Sequence, residues 1–138
     1  MKIKSILISQ PEPENGKSPF YDLADERKIK VDYRHFIHVE GIDAQEFRQD
    51  RVEMKDHTAV ILTSRNAVDH FFRMAEEMRF SVPDDFKYFC TNESIAKYLQ
   101  KYIVYRKRKI SFGKLRFADL LPLIVKNKKE KFLLPLSS

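Results

Sequence analysis

The chain has 138 residues, enough for one modest hydrophobic core, and its 43% hydrophobic and 33% charged residues are the mix of a folded polypeptide, not a disordered one. Three glycines argue against a Gly-rich phosphate loop, one cysteine excludes an intramolecular disulfide and a cysteine-based zinc site, and nothing approaches the ~20 apolar residues of a membrane span. The net charge of +6 is uneven, because residues 105–138 hold ten Lys or Arg against only Asp119 and Glu130. Such a basic third fits an anionic partner, either a polycarboxylate or a nucleic acid, and it also fits a merely solvated lysine-rich face.

Strand and helix signals alternate along the chain. Lys2 to Gln10 carries Ile3, Ile6 and Ile8 before Pro11 and Pro13, a strand feeding a loop. Ser18-Pro19 supplies an N-cap with proline at the first helical position, and Phe20, Leu23, Ala24 and Arg27 follow at helical spacing. Val31 to Val39 reads as a second strand, with Val31, Tyr33 and His35 on one face. Asp43 opens a short helix with Ala44, Phe47 and Val52 on its apolar side. The unbroken run Thr58-Ala59-Val60-Ile61-Leu62 suits a parallel strand buried on both faces.

Thr63 to Met78 is the clearest helix, with Val68, Phe71, Phe72, Ala75 and Met78 as its buried stripe. Lys87 to Cys90 is a short strand in which the Cys90 thiol is expected to behave as a small buried hydrophobe. Asn92 caps a helix carrying Ile95, Leu99 and Tyr102, and Ile103 to Arg106 reads as a strand. Phe117, Leu120, Leu121 and Ile124 form a helical face in which Pro122 either kinks the helix or delays its start. Lys131 to Leu136 is a final strand. No helix follows to cover it, so the chain is expected to be a truncated part of a longer protein.

The pattern predicts an α/β fold, a parallel sheet flanked by helices. Ligands of such sheets bind beyond the carboxyl ends of the strands, where helix N-termini offer unpaired amides. Two junctions there are polar: Thr63-Ser64-Arg65-Asn66 and Thr91-Asn92-Glu93-Ser94. One polar residue suffices to cap each helix, and four in a row at the first junction exceed that need, which favours a ligand contact. His35, His38, His57 and His70 lack metal-ligand spacing, so no metal site is expected.

Thr63-Ser64-x-Asn66-Ala67-Val68 after a buried strand is similar to the most recognisable motif of the uroporphyrinogen-III synthases. Ser9-Gln10-Pro11 after the first strand resembles that family's Thr-Arg-Pro, with Gln10 in place of arginine. Thr91-Asn92-Glu93-Ser94-Ile95-Ala96 with Leu99 resembles a Val-Gly-x-x-Thr-Ala-x-x-Leu segment, with Asn92 for the glycine and Ile95 for the threonine. Leu133-Leu134-Pro135 resembles the strand that opens the next βα unit.

The resemblance covers the chain in order and implies its N-terminal half of a two-domain fold with flavodoxin-like domains. Residues 1–40 would be the N-terminal segment of a discontinuous first domain, residues 41–138 most of the second, and Phe36 to Gly41 one strand of the interdomain link. The implied reaction cyclises hydroxymethylbilane, which bears eight carboxylates, with inversion of its last pyrrole ring and loss of water, and without a cofactor or metal. Thr63, Ser64, Asn66, Arg65, Ser94, Ser9 and Gln10 would contact substrate. The family's tyrosine proton donor would lie beyond Ser138, and Tyr105 stands one unit too early to replace it. The chain alone is therefore expected to be inactive, and the full-length protein to be a cytoplasmic monomer.

The alternative is a non-catalytic α/β module for an anionic ligand or nucleic acid. A receiver domain would need acids where Ser9-Gln10 and Thr63-Ser64 stand, and a flavin binder would find the acidic Pro11-Glu12-Pro13-Glu14 after its first strand. Arg106-Lys107-Arg108-Lys109 and Lys126-Asn127-Lys128-Lys129 could track a phosphate backbone, with Tyr105 and Phe112 available for stacking. No reading motif accompanies them, so nucleic acid is not the expected partner.

Overall fold

A computed structural model of the chain describes residues 2–137. Met1 and Ser138, included in the domain expectations, lie outside the described residues. The chain is α/β, with parallel sheets flanked by helices, and it divides at Glu40–Gly41 into two compact units.

The first unit is a single strand-helix-strand turn. Strand β1 (Ser5–Ile8) pairs in parallel with β2 (Lys30–Tyr33), and helix α1 (Pro19–Arg27) connects them. The Ser18 hydroxyl caps α1 by accepting from the Phe20 amide at 3.2 Å and also accepts from the Tyr33 hydroxyl at 3.0 Å. Ile8 is the one buried hydrophobic residue of this unit among those described. The second strand does not continue to Val39. Its last ladder bond runs from the Arg34 amide to the Ile8 carbonyl (2.8 Å), and β1 ends there, leaving residues 35–39 without a strand to pair with. Phe36 to Gly41 likewise forms no strand, and Phe36 and Ile37 are exposed.

The second unit holds a four-stranded parallel sheet. Its elements in chain order are helix α2 (Ala44–Gln49), strand β3 (Ala59–Leu62), helix α3 (Arg65–Glu77), strand β4 (Lys87–Cys90), helix α4 (Glu93–Tyr98), strand β5 (Ile110–Phe112), helix α5 (Leu121–Lys126) and strand β6 (Phe132–Leu133). Tight 3-10 turns at Met54–Asp56, Leu99–Lys101 and Phe117–Leu120 complete it. Spatial order is β5-β4-β3-β6, so β3 and β4 are central, and every residue of β3 is buried. Asp43, Ser64 and Asn92 cap α2, α3 and α4 through side-chain oxygens that accept from the amide three residues on.

Strand alternation divides the core between two faces. Val60, Leu62, Tyr88 and Cys90 point to the side covered by α3 and α4, where Val68, Phe71, Met74, Ala75, Ile95, Ala96 and Leu99 meet them. Ala59, Ile61 and Phe89 point to the other side, where Leu120, Leu123, Ile124 and Phe132 cover them. Met74 belongs to the buried stripe of α3, while Phe72 and Met78 are only partly buried at its margin.

The third strand of this sheet lies later than Ile103–Arg106. Those residues form no strand, and Val104 is 75% exposed. The Ile103 amide is used to close the preceding turn on the Leu99 carbonyl, a turn at Arg106–Lys109 follows, and only then does Ile110 pair with Tyr88. Pro122 delays the start of α5: it sits in the first turn, where its missing N–H costs nothing, and the 3-10 turn absorbs the approach.

Candidate functional site

Because all four strands run the same way, their carboxyl ends share one edge, and the sheet order identifies the most favourable place along it. The chain proceeds from β3 outward to β4 and β5, then returns across the sheet to β6 on the other side of β3. The connections change face at that return, α3 and α4 lying on one side and α5 on the other. In sheets of this kind ligands bind where strand order reverses, which here is between β3 and β6. The junction Thr63-Ser64-Arg65-Asn66 leaves β3 at that point.

Ser64 is the N-cap of α3, and its Oγ accepts from the Ala67 amide at 3.0 Å, so one of the four polar groups is accounted for by capping. Arg65 is exposed and reaches sideways over the neighbouring junction. Its Nη2 donates to the Ser94 Oγ at 3.0 Å, and its guanidinium carbon lies 5.4 Å from the centre of the Tyr98 ring. The half-buried Thr63 and the exposed Asn66 have no side-chain hydrogen bond among the described residues, although the Thr63 carbonyl accepts from the buried Thr91 hydroxyl at 3.3 Å. The two junctions are therefore tied together below by Thr91 and above by Arg65.

Beside this tie is an open hollow of about 530 Å³ lined by Arg65, Glu93, Ser94, Lys97 and Tyr98. Lys97 pairs with Glu93 at 3.0 Å, leaving the Arg65 guanidinium as the surplus charge. Tyr98 is fixed from behind: its hydroxyl lies 3.0 Å from both Asp69 oxygens, and Asp69 also accepts from the Lys101 ammonium at 3.2 Å and from the Tyr102 hydroxyl. Burial disfavours the Asp69 anion, but the hydrogen bonds from Tyr102, Tyr98 and Lys101 outweigh it and hold the carboxyl below its usual value.

The sequence-derived candidates thus fall into two groups. Thr63, Ser64, Arg65, Asn66 and Ser94 gather at one edge of the second unit. Ser9 and Gln10 belong to the first unit, exposed at the carboxyl end of β1. Lys97, Tyr98 and Asp69 were not among the candidates. Lys97 and Tyr98 stand three and four residues after Ser94, one helical turn along the same face, and that spacing was the available signal.

Cys90 takes no part in this chemistry, since burial pushes its thiol up to about 12. Among the described residues no three His, Cys, Asp or Glu side chains are grouped to hold a metal ion, and no helix is long and apolar enough to cross a membrane. No protein-family model matches the chain, and no curated protein is significantly similar to it.

What the site can do follows from its groups. It presents hydrogen-bond donors from hydroxyls, a carboxamide and a guanidinium at the N-terminus of a 13-residue helix, whose dipole favours negative charge. Donors so placed are able to hydrogen-bond an anion.

Proposed function

We infer that the second unit supplies a carboxylate-binding wall of a uroporphyrinogen-III synthase, which closes linear hydroxymethylbilane into a macrocycle with inversion of the last ring and loss of water. The reading rests on one observation above the others. Thr63-Ser64-x-Asn66-Ala67-Val68, the segment that resembles the family's motif, leaves the central strand at the reversal point of the sheet, with no side-chain hydrogen bond at Thr63 or Asn66 among the described residues. In this reading the two-unit division corresponds to flavodoxin-like domains, and Arg65, Thr63, Asn66 and Ser94 hold substrate carboxylates by charge-assisted hydrogen bonds. Binding of this kind accelerates ring closure by holding the two ends of a flexible chain within reach of each other, which removes much of the entropic barrier.

The test uses protein expressed from the complete reading frame. Hydroxymethylbilane generated in situ is incubated with it, and the oxidised porphyrin isomers are separated. Enrichment of the type III isomer, reduced at least tenfold by Arg65→Ala, supports the reading. A product mixture containing only the type I isomer of spontaneous closure sinks it.

A further inference from the structure

The two basic runs of the sequence precede β5 and β6, and in a parallel sheet the segments preceding strands all lie at the amino edge. The runs are therefore brought to the same edge, opposite the carboxyl-edge site. Some cations there have internal partners. Lys109 pairs with Asp84 at 2.8 Å, Arg106 with Asp84 at 3.4 Å, Lys87 with Glu130 at 2.5 Å and Lys55 with Glu53 at 3.7 Å. Lys126 lies in the last turn of α5, where a cation offsets the helix dipole. Five exposed cations remain with no salt bridge among the described residues: Lys107 and Arg108 before β5, and Lys128, Lys129 and Lys131 before β6. The acids of the same edge without an ion pair are Asp56 and Asp85, so the positive surplus stands.

The two groups are held in fixed relation. The Lys87–Glu130 pair joins the start of β4 to the segment before β6, and the Lys131 amide donates to the Thr58 hydroxyl at 2.9 Å while its carbonyl accepts from the Thr58 and Ala59 amides. In the order β5-β4-β3-β6 the outer strands are three spacings apart, about 14 Å. That is close to the ~12 Å width of the major groove of B-form DNA, whose walls are two rows of phosphates. Of the aromatic residues of this edge, Phe86 and Tyr88 are buried and Tyr105 and Phe132 are partly buried against the core, so none is a fully exposed platform on which unpaired bases could stack. Lysine-rich surface without an apolar centre is also unlike a protein–protein interface, from whose core lysine is depleted.

We propose that the amino edge of the second unit's sheet is a docking surface for double-stranded nucleic acid, which it grips by the phosphate backbones without reading sequence. The surface is independent of the carboxyl-edge site. Its energetics are those of counterion release, so affinity falls steeply with salt.

The test measures binding of the whole chain to a fluorescent DNA duplex of about 20 base pairs and arbitrary sequence, from about 50 to about 200 mM salt. Five phosphate contacts give a log–log slope near −4.5 and a loss of about 500-fold across that range. Lys107→Glu with Arg108→Glu, and separately Lys128→Glu with Lys129→Glu, each flatten the slope by about 2, while Lys2→Glu with Lys4→Glu in the first unit leaves it unchanged. Circular dichroism confirms that each variant is folded. No duplex binding at the lowest salt, equal weakening by the first-unit control, or tighter binding of the single strand overturns the proposal. Binding to phosphatidylserine vesicles but not to the duplex overturns it in favour of a lipid surface.

Discussion

Leu120→Ala is the most informative perturbation of the fold, because the second face of the sheet is thinly covered. Leu120 is fully buried against Ala59, Ile61 and Phe89, whereas α5 has no fully buried residue of its own and exposes Leu121 and Val125. Truncation removes three carbons, worth about 2.4 kcal/mol at ~0.8 kcal/mol per buried methylene. The central strands are fixed by ladders on both sides and cannot collapse into the space, so a cavity term of about 1 kcal/mol adds to it. The sum, near 3.5 kcal/mol, falls chiefly on α5 and β6 and not on the whole unit. Hydrogen exchange reads this directly: amides of residues 123–127 should exchange a few hundred-fold faster, while those of β3 and β4 change far less. A uniform rise across the sheet and α5 would show that α5 opens only with the entire unit. No rise at all would show that Leu120 is not its anchor. Either result refutes the local-anchor argument.

Three other outcomes are expected. Arg79 sits at φ 55° just past α3, where the Phe80 amide donates to the Ala75 carbonyl and the Arg79 amide to the Glu76 carbonyl, a Schellman arrangement that favours glycine; Arg79→Gly should raise stability by about 1 kcal/mol in denaturant titrations. Cys90, with its thiol pushed up to about 12 by burial, should resist alkylation at pH 8 in the folded chain and react at the rate of an ordinary thiol once unfolded. Asp69 should contribute stability that is present above the ordinary carboxylate range and lost as pH falls through its depressed folded value, because the unfolded chain takes up the proton first. The acid limb of a stability–pH curve should therefore be shallower in Asp69→Asn, and an unchanged limb would remove Asp69 from the account.

The strand and helix signals that proved legible are those set by local chemistry. The Ala59–Leu62 run and the capping residues Ser18, Asp43 and Asn92 each depend on a handful of neighbouring residues. Ile103-Val104-Tyr105 misled because its β-branched and aromatic residues have higher strand propensity than Ile110-Ser111-Phe112. Pairing decides, and Ile110 meets Tyr88 across the ladder while Val104 faces solvent. In the candidate site the polar junctions could be read from sequence, but the Arg65–Ser94 bond spans 29 residues and the Tyr98–Asp69 bond another 29, beyond any local pattern.

The sequence by itself determined an α/β chain, its fully buried central strand, the caps of α1, α2 and α4 and an uneven charge, since periodicity, capping and composition act over a few residues. Tertiary structure alone decided which strands pair, where the sheet order reverses, and that two basic runs some twenty residues apart share one edge. Those facts follow from parallel pairing, in which every strand start is carried to the same side whatever its distance along the chain.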